Sequence, residues 1–165
     1  MAILWRDMKE VDIHEGIENT LLILNHKLQF LIEVIKNYRH LPLVECYPAQ
    51  LNQVFMNILN NAIDALLDHK ADSDKSKKII INTFNIDDVY IKVGIIDNGS
   101  GIRPEIKNKL FDPFFTTKPV GKGTGLGLSI CYQIIDKHNG KIEVISEFEQ
   151  GTEFIILLPI KTQLN

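Results

Sequence analysis

The stretch "GKGTGLGLS", Gly121–Ser129, sets four glycines at alternate positions and runs straight into an apolar, helix-like segment. Each glycine adds conformational entropy that folding must remove, so such a cluster needs a compensating use. Three uses are open: a tight turn, a flexible lid, or a close approach of backbone amides to an anion at a helix N-terminus. It is not a phosphate loop of the GxxxxGK[ST] kind, since Gly121-Lys122 lacks the upstream glycine and the following Ser or Thr. It follows no strand, so the dinucleotide-binding fingerprint fails as well.

Working outward, the apolar spacing predicts a helix from about Leu126 to His138, with Gly140 as its C-terminal stop. A hairpin pattern, "GKIEVISEFEQGTEFIILLPI", closes the chain with Gly151 in the turn. Upstream, "KIIINTFNI" and "VYIKVGIID" read as two strands around an Asp87-Asp88 turn. A short helix is predicted near Glu105–Leu110, started by Pro104. A long helix is expected from about Ala49 to His69, with Leu51, Val54, Phe55, Ile58, Ala62, Ala65 and Leu66 on one face. Before it, Ile13, Ile17, Leu21, Leu24, Leu28 and Leu31 step by three and four, which predicts a helix over residues 12–31. "IEVIKNY" and "LPLVEC" then supply at least one strand. "KADSDKSKK" reads as a surface loop. This mixture predicts a two-layer α/β sandwich, one mixed sheet with helices packed on one face.

The 165 residues suit one domain, with 45% hydrophobic and 24% charged residues, an ordinary globular balance. A net charge of -3 gives no support to a nucleic-acid surface. No apolar run approaches a membrane span, and "MAILWRDMKE" lacks a signal-peptide pattern, so a cytoplasmic location without direct membrane contact is expected. Cys46 and Cys131 form no CxxC pair and are expected to be free thiols.

Three further polar clusters stand upstream of the glycines. On the long helix, Asn57 and Asn61 are four apart and present their carboxamides from one face. They belong either to a solvated face or to a site offering oxygen ligands to Mg²⁺, which shares its shell with water and phosphates. "DNGSGI" follows a strand and reads as a turn. Asp97 can also accept a hydrogen bond from an amine such as adenine N6, with Gly99 and Gly101 admitting a flat base and Ile102 packing on its face. "FDPFFTTK" reads as an apolar loop ending in Lys118, a point charge suited to a phosphate.

In this order the clusters closely resemble the N, G1, F and G2 boxes of the ATP-binding catalytic domain of sensor histidine kinases. That domain belongs to the Bergerat-fold (GHKL) ATPases, with DNA gyrase, the heat-shock protein 90 chaperones and the mismatch-repair ATPases. The resemblance covers residues 12–160, including the closing "GTEFIILLP". It implies a mostly antiparallel sheet, about three helices on one face and a mobile ATP lid between the F and G2 boxes. Asn61 then coordinates Mg²⁺ through its side-chain oxygen, with Asn57 as helix-face partner. Asp97 binds the adenine amine, Gly99, Gly101 and Ile102 line the base, and Thr152 supports it from the last hairpin. Thr117, Lys118 and the backbone at Gly123, Thr124, Gly125, Leu126, Gly127 and Leu128 hold the phosphates. Asp64 occupies a phosphate-side position where histidine kinases often carry a basic residue. Asn57, Asn61 and Lys118 form the catalytic set, with ATP or ADP and Mg²⁺ as ligands.

One residue separates kinase from hydrolase within the resemblance. Gyrase-like, chaperone-like and anti-sigma-factor kinase relatives place a glutamate base four residues before the metal asparagine, and Asn57 stands there instead. An amide takes no proton at neutral pH, whereas transfer to histidine uses the acceptor imidazole itself as nucleophile. The acceptor motif, His-Glu-apolar-basic-x-Pro, is not found: His14-Glu15 continues Gly16-Ile17-Glu18-Asn19. The chain is therefore expected to be the catalytic portion of a longer kinase. Residues 1–11 are then a linker from a dimerisation region, 12–161 the ATP-binding domain and 162–165 a tail. Its expected partners are the dimerisation and phosphoacceptor helices and a response regulator. A stand-alone serine/threonine kinase of the anti-sigma type and a non-catalytic nucleotide-binding relative are the alternatives.

Overall fold

A computed structural model of the chain describes residues 8–29, 31–67, 75–113 and 127–161. In chain order the elements are β1 (Lys9–Val11), α1 (Ile13–Ile23), α2 (Asn25–Leu28), β2 (Ile32–Asn37), β3 (Val44–Cys46) and α3 (Pro48–Leu67). There follow β4 (Lys77–Ile86), β5 (Tyr90–Asp97), α4 (Pro104–Lys107), α5 (Gly127–Lys137), β6 (Lys141–Glu147) and β7 (Gly151–Pro159). Five strands form one sheet in the order β2-β4-β5-β7-β6, parallel only between β2 and β4.

Alternation along the strands decides which face is covered. Ile79 and Ile81 of β4, Ile91, Val93 and Ile95 of β5, and Phe154, Ile156 and Leu158 of β7 are register neighbours and all buried. Side chains two apart in a strand share a face, so these residues form one apolar surface. Against it α3 lays Leu51, Val54, Phe55, Ile58, Leu59, Ala62, Ile63 and Leu66. Packed beside α3, α1 and α5 complete the helical layer. Burying side chains of this size stabilises the fold by about 1.5–3 kcal/mol each before chain entropy is charged against it.

The helix predicted over 12–31 is shorter. Asp12 caps α1, its carboxylate accepting the His14 N–H at 2.9 Å, and the helix stops at Leu24, whose ψ is 0°. Leu24 and Leu28 remain buried across the break, so the three-four spacing marks the covered side without requiring continuous helix. Leu31 lies outside it and is exposed. "LPLVEC" does form a strand, but β3 pairs with β1 in a separate two-stranded sheet. The Glu45 N–H, donating to the Ile160 carbonyl at 2.9 Å, ties that small sheet to the end of β7.

The β4–β5 turn is as read, with Asp87 and Asp88 both left-handed (φ 55° and 56°) and Asn85 accepting the Asp88 N–H at 3.1 Å. The stop after α5 differs. Asn139, not Gly140, takes the left-handed conformation (φ 59°), since an Asn side chain tolerates that region. His138 is buried beneath this corner. Its Nδ1–H donates to the Ile134 carbonyl at 2.7 Å and its Nε2 accepts the Tyr47 N–H at 3.1 Å. Cys46 and Cys131 are both buried free thiols.

Antiparallel pairing gathers the start of β4, the end of β5, the end of β6 and the start of β7 at one end of the sheet. The loop after β5 leaves from there, beside the C-terminal half of α3.

Candidate functional site

Asp97 is the last residue of β5 and only 4% exposed. Its Oδ1 accepts the Gly99 N–H at 2.9 Å, the bond that starts the turn the sequence announces. Burial pushes its carboxyl up to about 6, with the Gly99 N–H pulling weakly the other way. Gly99 lies hard against α3, where a Cβ would sit 3.1 Å from the Ala65 carbonyl oxygen and 3.2 Å from its Cβ. Asn98 works on the opposite side, accepting the Lys78 N–H at 2.8 Å and donating to the Ser76 carbonyl at 2.7 Å. It fastens the loop to β4.

The loop is equally fastened to the β6–β7 hairpin. Gly101 is left-handed (φ 74°), and a Cβ on it would run into the Glu147 carbonyl, so no other residue fits. Gly151, at φ 136°, begins β7 beside the Asp97 carbonyl rather than sitting within the turn, and a Cβ there would strike that oxygen. The Ile102 N–H donates to Ser146 Oγ at 2.7 Å, the Glu149 N–H to the Ser100 carbonyl, and the Arg103 guanidinium lies 5.2 Å over the Phe148 ring. Thr152 is the register partner of both Asp97 and Ser146, so the three polar side chains stand in a row across β5, β7 and β6. Asp97, Gly99, Gly101, Ile102 and Thr152 are thus brought together at one end of the sheet.

On α3, Asn57, Asn61 and Asp64 are half-buried, on the stretch of helix that leads to Ala65. Asn57 Nδ2 donates to the Gly127 carbonyl at 3.1 Å, joining this helix to the first residue of α5. Gly127 and Leu128 start α5, and Leu128 packs against the core. Thr117, Lys118, Gly123, Thr124, Gly125 and Leu126, with the whole expected lid, lie outside the described residues. Asn60, next in sequence, turns elsewhere and accepts from Lys27 Nζ at 3.1 Å. Ser146 escapes sequence reasoning because a lone serine in an alternating strand reads as surface. Counting pairs outward from the hairpin turn is the signal that finds it.

Among the described residues no group of three or more His, Cys, Asp or Glu could hold a metal ion. The donor set on α3 is instead one or two carboxamides. That matches Mg²⁺, which needs few protein oxygens when phosphates complete its shell.

His14 sits at the start of α1 as a structural residue, its Nε2 2.8 Å from Thr83 Oγ1 and its ring stacked 4.2 Å from Tyr38. Burial lowers its pKa, with Asp12 and then Glu18 pulling it back up.

Residues 46–162 match the family of histidine kinase-, DNA gyrase B-, and HSP90-like ATPases. The chain belongs to this family. Its ATPase-family fold superposes on the catalytic domain of the histidine kinase ThkA with a TM-score of 0.79 and 32% identity, covering 94% of this chain and 97% of that one. ThkA in complex with the response regulator TrrA gives a TM-score of 0.74 and 30% identity, covering 93% of this chain and 42% of that one. Sporulation kinase E of Bacillus subtilis (strain 168) is 39% identical over 121 residues, which are 73% of this chain and 15% of that protein. The chain therefore spans a small part of that relative's length and matches ThkA as a histidine kinase catalytic domain. The row of Asp97, Thr152 and Ser146 lies within the family-matched residues. Among the described residues no helix is long and apolar enough to cross a membrane.

Proposed function

We propose that this chain is the catalytic portion of a two-component sensor histidine kinase. It binds Mg-ATP and transfers the γ-phosphoryl group to a histidine on a dimerisation helix outside this chain, and a response regulator then receives the group. The observation that carries the reading is the Asp97 carboxylate, buried and held by a backbone N–H with its pKa raised by desolvation. A buried carboxyl with no cation among the causes of its shift opposes folding, and such groups cluster where a ligand uses them. An exocyclic amine is such a ligand, and Gly99 and Gly101, packed against Ala65 and the Glu147 carbonyl, fix the loop beside it.

In this reading Asp97 accepts from the adenine amine, Ile102 lines the base and Thr152 flanks it. Asn61 holds Mg²⁺ with the phosphates, and that ion neutralises charge developing on the transferred group. Asn57 positions α5, whose N-terminal amides face the phosphates, and Asp64 stands on the same stretch of α3. Lys118, Thr117 and the backbone of residues 123–126 complete the phosphate cradle. Asn57 donates a hydrogen bond in the place where a hydrolase needs a base, which favours transfer to an imidazole over attack by water. Support also comes from the names of the relatives, which are kinases, and from the ThkA complex with its response regulator.

The test is incubation with γ-labelled ATP, alone and then with a phosphoacceptor helix pair. The chain alone should bind ATP without becoming labelled. The added helices should acquire label slowly, because separation forfeits an effective concentration of about millimolar. That label should be lost in acid and survive alkali. Alkali-labile, acid-stable label on the chain itself would point to a serine/threonine kinase instead.

A further inference from the structure

Ser146 Oγ makes three contacts at once: the Ile102 N–H at 2.7 Å, the Gly151 carbonyl at 3.1 Å and Thr152 Oγ1 at 3.0 Å. A serine hydroxyl has one proton and two lone pairs. The Ile102 amide can only donate, so it takes one lone pair. A carbonyl can only accept, so the proton goes to Gly151. The contact with Thr152 is then satisfied only by the Thr152 hydroxyl donating to the remaining lone pair of Ser146. All three contacts are met in this one direction and in no other.

We propose that Ser146 is a specificity-determining positioning residue, which fixes Thr152 as a hydrogen-bond acceptor beside Asp97 and so selects a purine carrying an amine over one carrying a carbonyl. The proposal rests on the assignment of this pocket to the base of a nucleoside triphosphate. With its proton committed to Ser146, Thr152 Oγ1 has only lone pairs left for the pocket. Its strand neighbour Asp97 is also an acceptor when ionised. Two acceptors side by side match the N6 amine of adenine and repel the O6 carbonyl of hypoxanthine or guanine. A hydroxyl free to rotate could serve either base, and would discriminate poorly. The half-buried Ser146 also anchors the base-lining loop through Ile102, so one side chain links the hairpin, the loop and the pocket edge.

The experiment is titration calorimetry of the chain with ATP and with ITP, which replaces the amine by a carbonyl. Wild type should bind ATP more tightly. Ser146→Ala should narrow the ATP-to-ITP affinity ratio about three- to tenfold, the worth of one net hydrogen bond. Ser146→Thr, which keeps a hydroxyl on a side chain suited to a strand, should restore it. Because Ser146 acts through Thr152, Ser146→Ala should leave the ratio unchanged in a Thr152→Val background. A loss of affinity that is equal for both nucleotides, or a narrowing that persists in the Thr152→Val background, would overturn the proposal. Thr152→Val alone should narrow the ratio while Ser146 is intact, and an unchanged ratio there overturns it whether or not Ser146→Ala folds. If wild type binds neither nucleotide, the pocket assignment fails too. If wild type binds ATP and ITP equally, nucleotide binding stands and this proposal falls.

Discussion

Asn57 Nδ2 donates to the carbonyl of Gly127 at 3.1 Å, spanning seventy positions of sequence to fasten the N-terminus of α5 to the middle of α3. The same amide lies next to the Cys131 thiol, which burial pushes up to about 12. Asn57→Asp keeps size and shape but replaces the donor with an acceptor facing a carbonyl oxygen. Setting a carboxylate against that carbonyl in place of a donor costs about 1–3 kcal/mol, so the unfolding midpoint should drop by several degrees. Amides of the first turn of α5 should exchange faster than those of β4. An unchanged midpoint and exchange pattern would show that the bond contributes nothing.

Asp97→Asn should move nucleotide affinity and stability in opposite directions. A carboxylate has two acceptor oxygens, one for the Gly99 N–H and one for an adenine amine, whereas a carboxamide has one oxygen for both. ATP affinity should drop roughly ten- to a hundredfold. The nucleotide-free protein should become more stable at neutral pH, because the substitution removes a buried charge. The wild-type pKa rises from its ordinary 3.8 to about 6 on folding, so the folded state binds this proton more readily than the unfolded one. The associated stability is fully present below the unfolded value and is lost as pH rises through about 6. The gap between mutant and wild type in thermal midpoint should therefore open between about pH 4 and 6. A constant gap would mean that Asp97 is not desolvated as described.

Much of this arrangement is readable in the sequence, and the unread parts share a physical cause. The β4–β5 hairpin and α3 declare themselves through local signals: alternation around Asp87-Asp88, and a single apolar face after Pro48. The break between α1 and α2 does not, because Leu24 and Leu28 stay on the buried side whatever the backbone does between them. The partner of β3 is equally silent, since Val44–Cys46 could pair with any edge and only assembly selects β1. At the site, the sequence shows at Asp97 both a turn after a strand and a carboxylate able to accept from an amine, and family resemblance favours the second reading. Ser146 becomes meaningful only when the register places it across from Thr152.

Asn61→Ala should reduce affinity for ATP in the presence of Mg²⁺ by about tenfold and leave binding in a chelator nearly unchanged. The carboxamide oxygen is proposed as a metal ligand, and Mg²⁺ held mainly by phosphates loses one protein oxygen when it is cut away. Parallel titrations with Mg²⁺ and with chelator separate this from a general effect on the pocket. Equal weakening in both conditions would count against the ligand role.

Acid should weaken the fold through His138. Its Nδ1–H donates to the Ile134 carbonyl while its Nε2 accepts the Tyr47 N–H, so the ring is held neutral with both nitrogens used. A proton on Nε2 would face the Tyr47 N–H directly. Burial lowers the pKa from its ordinary 6.5, the Ile134 bond partly offsets this, and the Lys137 charge adds to the lowering. Above pH 6.5 neither folded nor unfolded protein carries this proton, and the stability linked to it is complete. As pH falls below 6.5 the unfolded chain takes up a proton that the folded chain refuses, and stability declines until the folded pKa is reached. This slope runs opposite to that of Asp97, so the two partly cancel in wild type. His138→Gln retains a side-chain donor and acceptor without a titrating ring. It should remove the His138 share of the decline, so that stability falls less between pH 6.5 and 4 than in wild type, while the share of His14, whose pKa burial also lowers, and the opposing Asp97 share remain. Chemical denaturation across that range measures both slopes. A variant that lost stability below pH 6.5 as steeply as wild type would exclude His138 as the titrating group.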